Sequence, residues 1–295
     1  MHFTFASEKN METTYVNLNG ELFDANTPVL MADNRAFRYG DAVFESMRFS
    51  SGEVLFFDDH YNRLQPAMEA LGIKGNQNFS PNNLRFHIHA LIQANRIKSS
   101  ARIRVEVFRN GEGTYTPDTN ESSFLITAGP LDDENYTLNK EGLRIDVFPD
   151  LKKQVNIFSK YKTANSLLFV MAGLFIKGNN LDDCIILNEQ ENVCEANGSN
   201  IFIINGSTVL SPPLSDGCID GVMRKNLIRI FDAENIPFAE KTISVNELLS
   251  AEEIFLTNVS KGIRWVGAFR QKRFFNKHSQ SFSDLLSHRT EIKKV

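Results

Sequence analysis

The chain lacks the patterns that mark secreted, disulfide-bonded and membrane-spanning proteins. Its 295 residues contain three cysteines, Cys184, Cys194 and Cys218, which form neither a C-x-x-C pair nor an even disulfide set. Reduced, buried thiols are the simplest interpretation. The longest apolar stretch, residues 166–176, is far shorter than the ~20 residues that span a bilayer, and residues 1–10 do not suit a secretory signal. We expect a cytoplasmic protein without a membrane partner.

A broad electrostatic attraction for nucleic acid is also missing. The formal net charge is −4, so the basic stretch 264–277 is interpreted as solvated strands rather than a nucleic-acid surface. His87 and His89 lie two apart on a predicted helix and face different directions, which makes a poor metal pair. No H-E-x-x-H, G-x-S-x-G, P-loop or G-x-G-x-x-G motif is present. We therefore expect a small-molecule partner and no metal.

The first part of the chain reads as short strands joined by hairpins, followed by two helices and two further strands. The hairpin turns are predicted at Asn19-Gly20 and Ser51-Gly52. Asp58 is a plausible N-cap for a helix that ends near Leu71, and Pro81 begins a second helix that ends near Asn95. The polar, turn-rich segment 129–142 is predicted to connect two domains. We expect a small α+β domain over 1–128 and a larger domain over 143–295.

The second part of the chain shows a different pattern of predicted helices and strands. Apolar residues recur at helical spacing over 167–175, directly behind Lys162. A hairpin is predicted over 181–196 with its tip at 188–192, and a helix over Val222 to Glu234. The prediction therefore places Lys162 at the head of an apolar helix.

Lys162 and Glu195 are the first residues that could carry chemistry. A lysine whose pKa is lowered by burial or by a nearby cation, here Lys160, can form a Schiff base with a carbonyl. The alternative is a lysine that covers the apolar helix with its alkyl stem. Glu195, between a hydrophobic strand and an Asn/Gly/Ser loop, could hold a pyridine nitrogen protonated, or it could be an acid in water.

A second pair of features could bind an anion. Gly221 opens an amphipathic helix, so the free N–H groups of Val222 and Met223 and the helix dipole form a site suited to a phosphate. Arg63, on the first predicted helix, could add a bidentate charge. Each feature also fits an ordinary helix start and a solvated arginine.

The order of these segments resembles a known family. The matching segments over about residues 14 to 270 are RYGDAVFESMR, DDHYNRL, YKTANSLL, EANGSNIF, SPPLSDGCIDGVMR and EEIFLTNVSKG. They resemble the fold type IV, or class IV, pyridoxal-phosphate enzymes, which include branched-chain and D-amino acid aminotransferases and aminodeoxychorismate lyases. The resemblance implies an α+β fold with a small α+β domain, a larger α/β pseudo-barrel domain, and a homodimer whose partner helps to wall the pocket.

The resemblance also implies roles for residues. Lys162 would be the Schiff-base lysine and proton shuttle, and Glu195 the partner of the pyridine nitrogen. Arg63 and the N–H groups of Val222 and Met223 would bind the phosphate. Val259 falls where the aminotransferases usually place Thr or Ser, so a backbone N–H or Asn258 would have to serve there. The candidates for substrate binding are Arg48, Arg109 and Arg38, with Tyr39 and Phe44 as pocket walls.

Three functions remain open at this stage. Phe44-Glu45 resembles the aminotransferase pattern, which favours transfer of an amino group from a branched-chain-like amino acid to a 2-oxo acid by ping-pong kinetics. The segment from Gly221 to Arg224, together with Asn258, looks more like the lyases, which form 4-aminobenzoate and pyruvate from aminodeoxychorismate. Ser46 is the nearby hydroxyl that could assist a leaving group. A non-catalytic cofactor-binding protein is the third possibility.

Overall fold

The computed structural model describes residues 14–290, so the expectation about the first ten residues lies outside the described part. A six-stranded sheet contains every described strand before residue 131, in the order β2-β1-β6-β5-β3-β4. Its strands are β1 Tyr15–Leu18, β2 Glu21–Asp24, β3 Ala42–Ser50, β4 Glu53–Val54, β5 Ala101–Arg109 and β6 Ser122–Pro130. The helices around it are α1 Arg35–Tyr39, α2 Phe57–Ala70 and α3 Pro81–Ala94.

Both predicted hairpins in this part are confirmed. β1 pairs antiparallel with β2 around Asn19 and Gly20, and both turn residues have positive φ. β3 and β4 pair around Ser51 and Gly52 in the same way. Helix α2 begins one residue before the predicted N-cap Asp58, because Phe56 takes the capping position in a left-handed conformation.

The alternation of side chains along β3 and β5 gives the first sheet two different faces. Val43 and Met47 on β3, with Ile103 and Val105 on β5, pack with α2 and α3 in one buried core. The even-numbered residues of both strands lie on the opposite face, which is turned toward the second half of the chain. The odd or even position of a polar side chain in these strands therefore decides whether it can reach the cavity between the two halves.

A nine-stranded sheet forms the second half, in the order β12-β11-β10-β13-β14-β7-β8-β9, with β15 paired to β14. Its strands are β7 Leu143–Val147, β8 Asp183–Leu187, β9 Val193–Ala196, β10 Asn200–Asn205, β11 Thr208–Ser211, β12 Phe238–Glu240, β13 Glu253–Asn258, β14 Gly262–Phe269 and β15 Lys272–Arg273. Its helices are α4 Leu167–Gly178, α5 Val222–Ala233, α6 Val245–Ser250 and α7 Lys277–Thr290.

The position of Lys162 differs from the prediction. Helix α4 begins at Leu167, and Lys162 lies before it in an extended segment. The backbone N–H of Phe44 donates to the Lys162 carbonyl at 2.8 Å, and Thr163 forms an antiparallel bridge with Val43. This lysine is therefore held against β3 of the first sheet by main-chain hydrogen bonds, not by a helix.

Side chains also join the two halves. The Asp59 carboxylate on α2 accepts hydrogen bonds from Arg229 Nη1 at 2.7 Å and from Asn226 Nδ2 at 2.9 Å, both on α5.

Among the described residues, none of the seven helices has the length and apolar character needed to cross a membrane.

Candidate active site

A cavity of about 820 Å³ lies between the two sheets and is lined by residues from both. Lys162 and Glu195 line it, and so do Gly221, Val222 and Met223 at the start of α5. Phe44 and Ser46 contribute from the cleft face of β3. The structure therefore brings the predicted lysine, carboxylate and anion site into one space.

The environment of Lys162 lowers its basicity. Burial, assisted by the positive charge of Arg63, lowers the pKa of Lys162 from 10.5 to about 8, against the opposing effect of Glu45 and Glu195. Its Nζ lies 5.1 Å from the centre of the Phe44 ring. Lys160, which the sequence suggested as the second cation, is exposed and instead lies over the ring of Tyr161. Near neutral pH a useful fraction of the Lys162 amine is thus unprotonated and nucleophilic.

Glu195 is buried at the end of the hairpin formed by β8 and β9, and both of its carboxylate oxygens are occupied. Oε1 accepts a hydrogen bond from Lys153 Nζ, and Oε2 accepts one from the backbone N–H of Ile219 at 3.0 Å. A carboxylate has about four lone-pair sites, so it can accept a further donor from the cavity. Sequence reasoning missed Lys153, which no motif singled out.

Arg63 is oriented by a buried acid. Its Nε and Nη2 donate to the Glu45 carboxylate at 2.6 and 2.5 Å, while Nη1 donates to the carbonyl of Asp220 at 2.8 Å. His60 Nδ1 lies 2.6 Å from the same carboxylate. Burial raises the pKa of Glu45, but the charges and hydrogen bonds of Arg63 and His60 outweigh it and lower the pKa to about 2. Arg63 keeps further N–H groups for a bound anion.

The first turn of α5 is open to the cavity. Gly221 is its N-cap and no side chain caps the helix, which leaves the first N–H groups available to an anion. A Cβ atom at Gly221 would lie 1.7 Å from Asn200 Oδ1, so only glycine fits. Asn200 in turn donates to the carbonyl of Ile219 at 2.8 Å. The loop before α5 is thereby fixed by side chains from two other elements.

Asn258 and Val259 also line the cavity, but the Asn258 side chain is already used. Its amide donates to Ser199 Oγ at 2.9 Å and to the Gly198 carbonyl, and it accepts from the N–H of Lys261. Val259 is buried and its carbonyl accepts from Tyr136 Oη at 2.6 Å. For the phosphate contact expected at this position, a backbone N–H is therefore better suited than the Asn258 side chain.

Four of the five predicted substrate residues are not among those that line the cavity. Arg48 is on the cleft face, but its guanidinium is bound by the carbonyls of Asp133 and Ser260. Arg109 lies on the opposite face and is held by the Asp41 carboxylate and the carbonyls that end α2. Arg38 is exposed on α1, and Tyr39 packs 5.7 Å from the ring of Tyr115. Only Phe44 lies in the cavity wall.

Two other arginines occupy the cleft face instead. Arg104 is opposite Ser46 in the sheet register, and its guanidinium stacks 3.7 Å from the centre of the Phe44 ring. Arg102, two residues earlier on β5, also lines the cavity, and its side chain has no hydrogen bond or ion pair with residues 14–290. The alternation along β5 could have found them, since the residues at its odd-numbered positions from 101 to 107 are all apolar and those between them are charged.

Together these residues fit an aldehyde cofactor that carries a phosphate and a ring nitrogen. Lys162 supplies the amine, the α5 N-terminus and Arg63 supply an anion cradle that a Cβ at Gly221 would disturb, and Glu195 supplies a fixed carboxylate. Within the described residues no group of His, Cys, Asp or Glu could hold a metal ion.

Comparison with known proteins agrees with this geometry. Residues 42–269 match the family model described as amino-transferase class IV. A putative branched-chain-amino-acid aminotransferase from Methanocaldococcus jannaschii is 25% identical over 257 residues, which cover 84% of this chain and 85% of that protein.

Solved structures show the same fold. The branched-chain aminotransferase from Thermoproteus uzoniensis, crystallised with norvaline, superposes with a TM-score of 0.82 at 25% identity and covers 92% of this chain and 93% of that one. A putative 4-amino-4-deoxychorismate lyase from Legionella pneumophila superposes with a TM-score of 0.81 at 23% identity, over 90% of this chain and 96% of that one.

The α+β fold type IV architecture is therefore confirmed, and so is the expected cofactor, pyridoxal phosphate. Because the family model matches more than half of the sequence, the chain belongs to the class IV aminotransferases.

Proposed function

We propose that this protein is a transaminase that uses pyridoxal phosphate to move an amino group between a branched-chain-like amino acid and a 2-oxo acid by a ping-pong mechanism. The observation that carries this proposal is the position of the Lys162 amine, whose pKa burial lowers to about 8, in the same cavity as Glu195 and the open start of α5. The similarity to branched-chain aminotransferases supports the choice of substrate.

When bound, pyridoxal phosphate supplies a ring that withdraws electrons from the bonds at the substrate Cα. Lys162 Nζ would hold the cofactor aldehyde at rest and, once displaced by the substrate amine, would accept the proton from Cα. Glu195 would hold the proton on the ring nitrogen. Arg63 and the N–H groups of Val222 and Met223 would bind the phosphate.

Arg104 and Arg102 are the side chains we propose for binding substrate carboxylates. Both lie on the cleft face of β5 and line the cavity that contains Lys162. The Arg104 Nε donates to Glu106 at 3.0 Å, which leaves its Nη groups for a ligand. They take the role that the sequence assigned to Arg48, Arg109 and Arg38, because the guanidinium groups of Arg48 and Arg109 are already bound and Arg38 lies outside the cavity.

A lyase that releases pyruvate from aminodeoxychorismate is the second candidate. Ser46 lines the cavity directly opposite Arg104, so a hydroxyl is available near the substrate. The two arginines would also suit a substrate with two carboxylates. We place this activity second because transamination needs no group beyond Lys162 itself.

We further propose a homodimer in the cytoplasm. Four apolar side chains on one face of α4 are exposed: Leu167 at 71%, Val170 at 55%, Met171 at 37% and Leu174 at 58%. They recur at helical spacing and form one stripe. A continuous apolar stripe of this kind is typical of a contact with a second copy.

The test is an assay of the purified holoprotein with two substrate sets. Glutamate formed from leucine and 2-oxoglutarate would establish transamination, and pyruvate formed from aminodeoxychorismate would establish the lyase. Lys162→Ala is the control and is expected to abolish either product. Cofactor absorbance that is changed neither by amino acids nor by aminodeoxychorismate would contradict both and support a non-catalytic protein that only binds the cofactor.

A further inference from the structure

Lys153 is a charged residue inside the wall of the cavity. Its side chain is buried, and lysine is almost never fully buried without a partner charge. Nζ donates to Glu195 Oε1 and also to the Ser159 carbonyl at 3.2 Å. The backbone is fixed as well, because the N–H of Lys153 donates to the Leu187 carbonyl at 2.9 Å, on the strand before Glu195's own. The ammonium group therefore has a defined position beside Glu195.

The two hydrogen bonds to Glu195 come from different parts of the chain. Lys153 holds one oxygen from the segment before Lys162, and Ile219 holds the other from the loop before α5. The carboxylate cannot rotate without losing one of them. Its remaining lone pairs can then serve a third donor in the cavity.

We propose that Lys153 is a positioning residue of the cofactor site, which holds the Glu195 carboxylate aimed at the ring nitrogen of pyridoxal phosphate. This inference rests on the proposed function, since it assigns a partner to Glu195 in that role. A buried carboxylate needs a compensating charge and hydrogen bonds, and the ammonium group of Lys153 supplies both to Glu195.

The other titratable groups around this pair do not replace Lys153. Those that interact with Lys153 or Glu195 are Cys194, Cys218 and Lys162. Burial raises the pKa of both thiols far above the ordinary thiol value, so they stay neutral. Lys162 would bind the cofactor aldehyde, so it does not serve as the partner of Glu195. Burial lowers the pKa of Lys153, but the charge and hydrogen bond of Glu195 outweigh it, so the net shift is upward.

The experiment compares Lys153→Met and Lys153→Arg with Lys152→Met as the matched control. Lys152 precedes Lys153 and pairs with Glu191 at the surface, 2.7 Å away. The affinity for pyridoxal phosphate is measured by absorbance titration from pH 6 to pH 9, and folding is checked by circular dichroism and thermal unfolding of the cofactor-free proteins.

We expect Lys153→Met to weaken cofactor binding by roughly tenfold at pH 6, which corresponds to the loss of one hydrogen bond to a charged group. Lys153→Arg and Lys152→Met keep the affinity of the parent. In a Glu195→Gln background, Lys153→Met has no additional effect on affinity.

Parent-like affinity of Lys153→Met at every pH would overturn the proposal. So would a loss of affinity that is equally large in the Glu195→Gln background, because that result indicates packing alone. Borohydride reduction of the parent separates this failure from failure of the proposed function. If reduction of the parent leaves no cofactor attached to Lys162, the proposed function itself is wrong.

Discussion

Glu45 shows how single charges organise this site. It is buried, and its carboxylate receives two hydrogen bonds from Arg63 and a close contact from His60 Nδ1. Removal of one partner from a buried ion pair leaves an uncompensated charge, which costs about 3–5 kcal/mol. We expect Glu45→Gln to lower the free energy of unfolding by that amount, measured in urea, and to weaken binding of pyridoxal phosphate because Arg63 loses its orientation.

The pH dependence of unfolding tests the same pair. The folded pKa of Glu45 is about 2 and its ordinary value is 4.5, so the ionised carboxylate stabilises the fold above pH 4.5. That stabilisation is lost as the pH falls from 4.5 toward 2. The parent should lose stability over this range and Glu45→Gln should lose less. Glu106→Gln, at a half-exposed ion pair on the neighbouring strand, is the control. An acid limb identical in parent and Glu45→Gln would contradict this account.

Lys162 gives a second prediction for a single residue. Because its pKa is lowered to about 8 by burial and by Arg63, its amine should react with an acylating reagent in the cofactor-free protein half-maximally near pH 8. Peptide mapping measures the labelling, and Lys160, exposed two residues earlier, serves as the internal reference. Labelling of Lys162 that reaches its plateau only near pH 10 would show that its charge is not destabilised.

Sequence alone could identify residues with local signals but not those defined by a neighbouring strand. Lys162, Glu195 and Gly221 stand in recognisable segments, and the structure brings all three to one cavity. Arg102 and Arg104 had no motif, and their position depends on which face of β5 packs on α2 and α3. Arg48 was on the correct face, yet carbonyl groups from residues 133 and 260 bind its guanidinium. Such distant partners are invisible in a linear pattern.

The start of helix α5 is the element on which anion binding depends. Gly221→Ala would place a methyl group 1.7 Å from Asn200 Oδ1, so either the loop or the Asn200 side chain must move. Overpacking of this kind costs about 1–3 kcal/mol. We expect this variant to bind inorganic phosphate and pyridoxal phosphate more weakly, as measured by isothermal titration calorimetry.

The matched control for Gly221→Ala is Gly198→Ala. Gly198 also lines the cavity, but a Cβ there would meet nothing within 4 Å. Its affinity for phosphate should equal that of the parent. Equal losses in both variants would mean that the effect comes from the cavity wall in general and not from the geometry of α5.

Sequence patterns located the elements better than their ends. The start of α5 at Val222 was predicted correctly, because glycine and an amphipathic period coincide there. The apolar period behind Lys162 placed the lysine on a helix, whereas α4 begins at Leu167 and main-chain bonds from Ala42 to Phe44 hold residues 162–164 extended. A contact with a strand more than a hundred residues away overrides local propensity.

At the scale of the whole molecule, the cavity exists because two sheets meet, and the exposed stripe on α4 suggests that two molecules meet as well. We expect Leu174→Glu to shift the protein from dimer to monomer, because a charge would be buried within an apolar contact. Sedimentation velocity measures the change. Phe86→Glu is the control, since Phe86 is 69% exposed on α3, away from the stripe, and should leave the dimer intact. A parent that sediments as a monomer at micromolar concentration would show that the stripe on α4 has another occupant.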